Sequence, residues 1–441
     1  MTEPVPFIGA FESTFQPAFD TDVAETTAHV ARWREDIDLL RKCGVAELRY
    51  PIRWHRVERE PGCFDWRSTD EMLAYIRDSG LRLIVDLLHH TSYPLWLGGF
   101  ADPAFGPTFL RYVRSIAERY PWVAGYTLFN EPFTTFFLSG HEGIWEPHYR
   151  GLSGFVTVAS NVMPALTAAS RLCRELLPDA RHVHAEVCEH HTATDSGGVT
   201  VAEYANDRRF LLTDLFLGRS IDDRRPFVAD MLAAGGEGLL ALEPGRIDVL
   251  GLDYYAHNQW AWEASGIGTT CPPAPLPLSD VIGQYWERYG LPCILGETNI
   301  RGYPSDRATW LKYTVGQCER ARDAGVPVEG YCWFPFVDSC DWNSILCRCD
   351  SSIDPVGVYW LDEELARRPS SMSAAYRLAA SGASSAALPA YKLQRPVSRW
   401  LTGWLPQLAG WDWVPPPADE VVAMRLDDGY EIELKVAEQG A

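Results

Sequence analysis

Two acidic residues follow apolar runs in the same way. In Thr127-Leu128-Phe129-Asn130-Glu131-Pro132 a carboxylate comes directly after a strand-like run, with an amide before it and a rigid proline after it. Ile294-Leu295-Gly296-Glu297-Thr298-Asn299 ends a later run with a second carboxylate. A lone Glu in such a place is ordinarily a helix N-terminal residue with no chemical duty. A pair brought to one cleft can do more. Glycosidic bond cleavage needs one carboxyl to protonate the leaving oxygen while another attacks the anomeric carbon, about 5–5.5 Å apart for retention or roughly 6.5–9.5 Å for inversion. A metal held by two Glu is the competing use, and no His follows either one at ligand spacing.

Composition narrows the partners. The 441 residues carry 39 Lys and Arg against 59 Asp and Glu, a net charge of -20, which removes the electrostatic basis for binding nucleic acid or an anionic membrane. With 46% hydrophobic and 22% charged residues the chain can bury a sizeable core. Its 17 Trp have two destinations: that core, or a cleft where indole rings stack on ligand faces. The 11 Cys are an odd number, and the opening Met-Thr-Glu-Pro has neither a basic nor an apolar leader region, so a reduced cytoplasmic protein is expected. No apolar run approaches the ~18 residues of a membrane span, and none is expected.

Short apolar runs at 6–10, 46–54, 82–88, 123–130, 181–186, 247–255, 293–297 and 328–334 read as strands. Helical periodicity lies between and after them, at 27–42, 69–79, 105–119, 155–177, 204–217, 278–289, 307–324 and 370–380. Eight alternations of apolar strand and helix predict an α/β fold of the (β/α)8 TIM-barrel type, with an open doubly wound sheet as the alternative. Glu131 then ends strand four and Glu297 strand seven, facing each other across one mouth. From Gly382 the composition changes. Residues 1–382 are read as the barrel, and 383–441 as a C-terminal extension with Trp400, Trp404, Trp411, Trp413 and three prolines, ending in two short strands over 421–437.

The strand-end motifs together resemble glycoside hydrolase family 1, in the clan of retaining (β/α)8-barrel glycosidases, over most of residues 7–380. Asn130-Glu131-Pro132 matches the family's Asn-Glu-Pro, which implies Glu131 as acid/base and Asn130 as donor to the sugar 2-hydroxyl. Glu297 matches the nucleophile, although the family's Thr-Glu-Asn-Gly reads Gly296-Glu297-Thr298-Asn299 here. Leu48-Arg49-Tyr50-Pro51 resembles the strand-two signature whose Arg lies beside the nucleophile. Asp253-Tyr254-Tyr255 resembles the family's Asn-Tyr-Tyr, which implies that Tyr255 hydrogen-bonds that nucleophile.

For the sugar, the resemblance implies Gln16, spaced as in the family from Gly9-Ala10, and His90 after strand three. It also implies Asp341 and Trp342, in Asp338-Ser339-Cys340-Asp341-Trp342, as the grip on the far hydroxyls. The strand-eight aromatic is Trp333 or Phe334, with Trp333 taken as the site residue. Trp145 and Trp260 are expected to line the acceptor side, each with a core role as the alternative. Arg49 would keep Glu297 ionised, while Glu131, without such a partner, would hold its proton.

Departures bear on substrate. Thr91-Ser92-Tyr93-Pro94 replaces the family's Trp-Asp-Leu-Pro, and Asp341 is one methylene shorter than the family's Glu, which relaxes strict glucose specificity. No basic residues stand where relatives that take phosphorylated sugars carry them, so a neutral sugar is expected. Two clusters compete for attention. His182, His184 and Glu186 share one face of a strand and are read as structural or sugar-contacting rather than metal-binding. Cys340, Cys347 and Cys349 lack the paired spacing of a structural zinc site and are read as reduced thiols. The expected activity is that of a retaining β-glycosidase acting on a β-glycoside or oligosaccharide, with no metal and no cofactor. A transglycosylase using the same covalent intermediate and a non-catalytic glycan-binding barrel are the alternatives. No oligomeric state follows from the sequence.

Overall fold

The computed structural model describes residues 3–270, 272–394, 402–408 and 410–417. Eight parallel strands close into a barrel: β1 Phe7–Ala10, β2 Glu47–Pro51, β3 Arg82–Asp86, β4 Gly125–Thr127, β5 Arg181–Val187, β6 Val249–Asp253, β7 Cys293–Glu297 and β8 Val328–Cys332. Each pairs with its neighbour in sequence, and β1 pairs with both β2 and β8 to close the ring. All eight expected strands form. In β2, β3, β4, β6 and β8 the strand is shorter than its apolar run because the last residues turn off the sheet into the mouth loops, whereas β7 keeps the expected bounds and β5 runs one residue further.

Alternation along the strands makes two cores. Ile8, Ala10, Ile84, Val183, Val249, Ile294, Cys332 and Phe334 point inward and fill the barrel. The opposite parity, for example Leu48, Leu83, Val85 and Leu295, meets the surrounding helices. Those helices include α1 His29–Lys42, α2 Arg67–Asp78, α3 Phe105–Arg119, α4 Gly151–Leu176, α5 Gly198–Arg208, α6 Leu211–Phe216, α7 Leu278–Tyr289, α8 Pro304–Asp323 and α9 Ser371–Ala380. In α3 the buried residues Phe105, Thr108, Phe109, Tyr112, Val113, Ile116 and Ala117 recur at three- and four-residue steps, the apolar stripe of a helix lying on a barrel.

The structure departs from the sequence reading in three places. The single helix expected over 204–217 is two, α5 and α6. The break falls where the Arg209 guanidinium turns to Gln284 and packs over Phe210. The segments after β5 and β6 add a three-stranded sheet of His190–Ala193, Gln259–Trp262 and Gly268–Thr270. Third, α4 is long and apolar enough to cross a membrane by length and composition, contrary to the expectation that no such stretch exists; 61% of its apolar window is buried in the fold.

Beyond Gly382 the chain lies along α8. Lys312 Nζ donates to the carbonyls of Ser385 and Leu388, Trp404 is fully buried edge-on to Trp310, and Ala390–Tyr391 pairs with Trp413–Val414. Trp400 and the two strands expected over 421–437 lie outside the described residues.

Candidate active site

Glu131 ends the segment after β4. Its backbone N–H donates to the Ala185 carbonyl of β5, and it precedes the short helix Pro132–Phe136 in a left-handed conformation, φ 46°. It is thus the N-cap expected of a lone acid. Its side chain makes no capping bond, however, and is left for the mouth.

Glu297 owes its direction to an irregularity. Ile294 faces the barrel interior and Leu295 the helices, so strict alternation would turn Glu297 outward. Between β6 and β7 the register instead runs Leu252 to Leu295 and then Asp253 to Glu297, with Gly296 as the extra residue. Such a bulge re-aims the next side chain, here into the mouth.

Glu131, Glu297 and Asp253 each bring a carboxylate oxygen within 4.8 Å of the other two, and all three residues are buried. That closeness suits the retaining geometry, in which the two carboxyl groups stand about 5–5.5 Å apart. Arg49, on the inward parity of β2, pairs with Glu297 Oε1 at 3.0 Å, with Asp86 Oδ2 at 2.9 Å, and donates to Asn130 Oδ1 at 2.5 Å. Tyr255 Oη donates to Glu297 Oε2 at 2.8 Å. His90 is neutral, because burial and the neighbouring His89 push it well below its ordinary range. Its Nδ1 meets Thr135 Oγ1 at 2.9 Å, and its Nε2 accepts from Asn130 Nδ2 at 3.2 Å. A line of contacts therefore runs from Glu297 through Arg49 and Asn130 to His90, and it fixes the amide orientation.

The two carboxyls sit in different electrostatic settings. Burial, then the charges of Glu297 and Glu186, raise Glu131 well above the usual carboxylate range. Burial also raises Glu297, but Arg49, His89 and the Tyr255 hydrogen bond all oppose it. Glu131 keeps its proton to higher pH than Glu297 does. Burial pushes against Asp86 too, yet Arg49 and His89 hold it at about 2, and His89 is raised by that partner despite its own burial.

Other expected site residues are placed as follows. Gln16 is buried and Trp342 half-buried, and among the described residues Gln16 Oε1 and Trp342 Nε1 have no hydrogen-bond partner; both are groups a sugar hydroxyl could satisfy. Trp145 is beside His90 and Trp342, but its Nε1 is spent on the Ile345 carbonyl and its ring is buried, so it backs the wall and presents no open platform.

Three expectations need correction. Trp333 has the outward parity, fully buried among the helices with Nε1 on the Val356 carbonyl. Phe334 is the inward aromatic, 5.6 Å from the His89 ring and 5.9 Å from the Arg49 guanidinium. Asp341 accepts the backbone N–H groups of Asp350, Ser351 and Ser352, so its carboxylate anchors a loop instead of gripping hydroxyls. Trp260 packs with Trp262, Ala202 and Ala205 in the added sheet, the core alternative for that residue.

His182 and His184 face Phe216 on the helix side of β5, whereas Glu186 accepts from the N–H of Phe133 and Val187 at the strand end. Cys340 is buried beside Val23 and Leu346, with Cys349 packed against that cluster and Cys347 exposed. Asp86, His89 and Asp253 were passed over as site residues in the sequence, and Phe334 stood there as the alternative to Trp333. Parity was the available signal for three of them: Asp86 shares the inward face of Ile84, Phe334 that of Cys332, and Asp253 that of Val249.

Residues 9–217 match the family model of Glycosyl hydrolase family 1. Beta-glucosidase A of Thermotoga maritima is 22% identical over 360 residues, 71% of this chain and 78% of its own length. A beta-glucosidase of Agrobacterium sp. is 23% identical, covering 71% of this chain and 77% of its own. A beta-galactosidase of Sulfolobus acidocaldarius is 37% identical over 123 residues, 22% of this chain and 25% of its own. In structure, the beta-glucosidase from Thermotoga maritima solved with deoxynojirimycin superposes with a TM-score of 0.71 at 18% identity, covering 86% of this chain and 98% of that one. At that identity the likeness speaks to the fold.

Proposed function

We propose that this chain, which belongs to glycosyl hydrolase family 1, is a retaining β-glycosidase in which Glu297 is the nucleophile and Glu131 the acid/base. The observation that carries the assignment is the pair of buried carboxyls with oxygens within 4.8 Å of each other, one braced by Arg49 and Tyr255 and the other raised by burial. Glu297 attacks the anomeric carbon as the bond to the leaving oxygen breaks, and Glu131 gives that oxygen its proton. A water then attacks the glycosyl ester, Glu131 takes a proton from it, and the sugar leaves with Glu297 restored as a carboxylate. Asn130 is positioned by Arg49 and His90 to meet a hydroxyl next to the reacting carbon. The relatives named above are glucosidases and galactosidases, so β-glucosides and β-galactosides are the first substrates to offer. A reducing, cytoplasmic compartment is part of this reading, supported by the odd cysteine count.

Incubation with 2-fluoro-2-deoxy glycosides of several sugars, followed by peptide mass mapping, tests the assignment. A label on Glu297 is expected, and the sugar that labels fastest identifies the preferred glycone. Labelling elsewhere, or with none of the sugars, overturns the assignment.

A further inference from the structure

Asp253 is the third carboxyl of the mouth, and the reaction just described does not use it. It pairs with Glu297 across the bulge at Gly296. A Cβ on Gly296 would stand 2.3 Å from Asp253 Oδ1, so the glycine before the nucleophile is the seat of this carboxyl. Asp253 is fully buried, neither of its oxygens has a hydrogen-bond partner among the described residues, and one lies within 4.8 Å of both Glu131 and Glu297.

The titratable and charged groups around it are Glu297 on β7, Tyr255 just beyond β6, Glu131 after β4, Glu186 on β5, Arg49 on β2, and the thiols of Cys188 and Cys332. Arg49 is the cation facing it, and that guanidinium already serves Asp86 and Glu297. An ionised, unpartnered carboxylate buried beside a second carboxylate is a state that a protein relieves by holding a proton.

We propose that Asp253 is a positioning residue that works as a neutral acid, keeping its proton while Glu297 is ionised and so sparing the nucleophile a second negative charge across the bulge. Its mechanistic meaning rests on the glycosidase reading; its protonation does not. Burial, then Glu297 and Glu131, push Asp253 well above the usual carboxylate range, with Arg49 pulling the other way. At alkaline pH, transfer of the Asp253 proton to solvent base places two anions side by side. Activity is then lost through two ionisations, those of Asp253 and Glu131.

Infrared difference spectra of protonated carboxyls at pH 7 test this, with Asp253→Asn, Glu131→Gln and the double variant. Each single substitution is expected to remove one band and the double both, with the band of Glu186, a carboxyl that burial pushes up to about 8, retained throughout. Gly296→Ala, which fills the seat, serves as the second variant and is expected to remove the Asp253 band as its carboxyl is driven out. In activity, the alkaline arm of kcat/KM is expected to fall with a limiting slope of two in the wild type and one in Asp253→Asn. No band lost on Asp253→Asn at pH 7 overturns the proposal. So does an alkaline arm displaced to lower pH by a unit or more in that variant, since this marks removal of an anion from beside Glu131. If no glycoside is turned over, the glycosidase reading fails while the spectra still decide the state of Asp253.

Discussion

Two buried ionic clusters of this barrel invite comparison. Behind the wall, Asp36 of α1 receives Arg367 Nε at 2.5 Å and Nη2 at 2.7 Å, and His29 Nδ1 at 2.7 Å, while His29 Nε2 meets Tyr50 Oη at 3.0 Å. Both oxygens of this acid are used. At the mouth, Arg49 serves Glu297, Asp86 and Asn130, yet both oxygens of Asp253, one of Asp86, Gln16 Oε1 and Trp342 Nε1 have no hydrogen-bond partner among the described residues. The satisfied cluster ties the hairpin of Trp360–Leu361 and Arg367–Arg368 to α1. The unsatisfied one gives up stability and leaves polar atoms for a substrate. Buried charge alone does not distinguish a site from a staple; completeness of pairing does.

The sharpest way to break the comparison is to remove one acid from each cluster. Glu297→Gln is expected to lower kcat on aryl β-glycosides by at least about 10⁴-fold with the fold intact, because it removes the group that forms the intermediate. Glu131→Gln should cost roughly 10²–10⁴-fold. The loss should be smaller for nitrophenyl than for alkyl leaving groups, which need the proton more. Equal losses for both leaving groups would deny Glu131 the acid role. Asp36→Ala should do the opposite, leaving kcat close to wild type while urea unfolding loses ~3–5 kcal/mol, the cost of stranding buried Arg367. A kcat loss like that of Glu297→Gln without destabilisation would erase the distinction.

Acidity separates the clusters again. Activity is expected to rise as Glu297 loses its proton and to fall as Glu131 and Asp253 lose theirs, a bell whose arms a kcat/KM profile resolves. For stability, Arg367 and His29 hold Asp36 below the ordinary carboxylate range against its burial. A depressed folded-state value means that this contribution is present above about pH 4 and is lost as pH falls below it. Unfolding followed from pH 6 to pH 2 should show that loss in the wild type and not in Asp36→Asn.

How much of this was legible in the sequence depends on parity. Strands announced themselves through apolar runs, and all eight formed, because an interior buried on both faces needs little local detail. The paired Glu and Tyr255 converge on the mouth because their motifs sit at strand ends, and Arg49 reaches Glu297 from the inward face of β2. Trp333 misled because a run such as Tyr331-Cys332-Trp333-Phe334 is apolar at every position, so residue type cannot say which ring faces in. Glu297 faces inward only through a one-residue bulge, which alternation cannot foresee. Asp341 and Asp253 show the limit of motif matching: one carboxylate was assigned a sugar and meets three backbone amides, while the other was assigned nothing and lies among the reacting groups.

The smallest expected effect is also the one whose sign depends most on the comparison. Glu131 is raised in the folded state by burial and by Glu297 and Glu186. In the unfolded chain it ionises near pH 4.3 (roughly) like any Glu. Folding at neutral pH must therefore take up a proton at this position. The contribution of Glu131 is fully present below about pH 4 and is lost as pH rises toward its elevated folded-state value, opposite to Asp36. Glu131→Gln cannot titrate and is free of that loss. It should match the wild type near pH 4 and become the more stable protein as pH rises through neutrality, by roughly 1.4 kcal/mol for each pH unit until the folded-state value is reached. Urea midpoints at pH 4, 6 and 8 measure it. A gain that shrinks with rising pH would mean that Glu131 folds as a paired anion, and would move it from the unsatisfied cluster to the satisfied one.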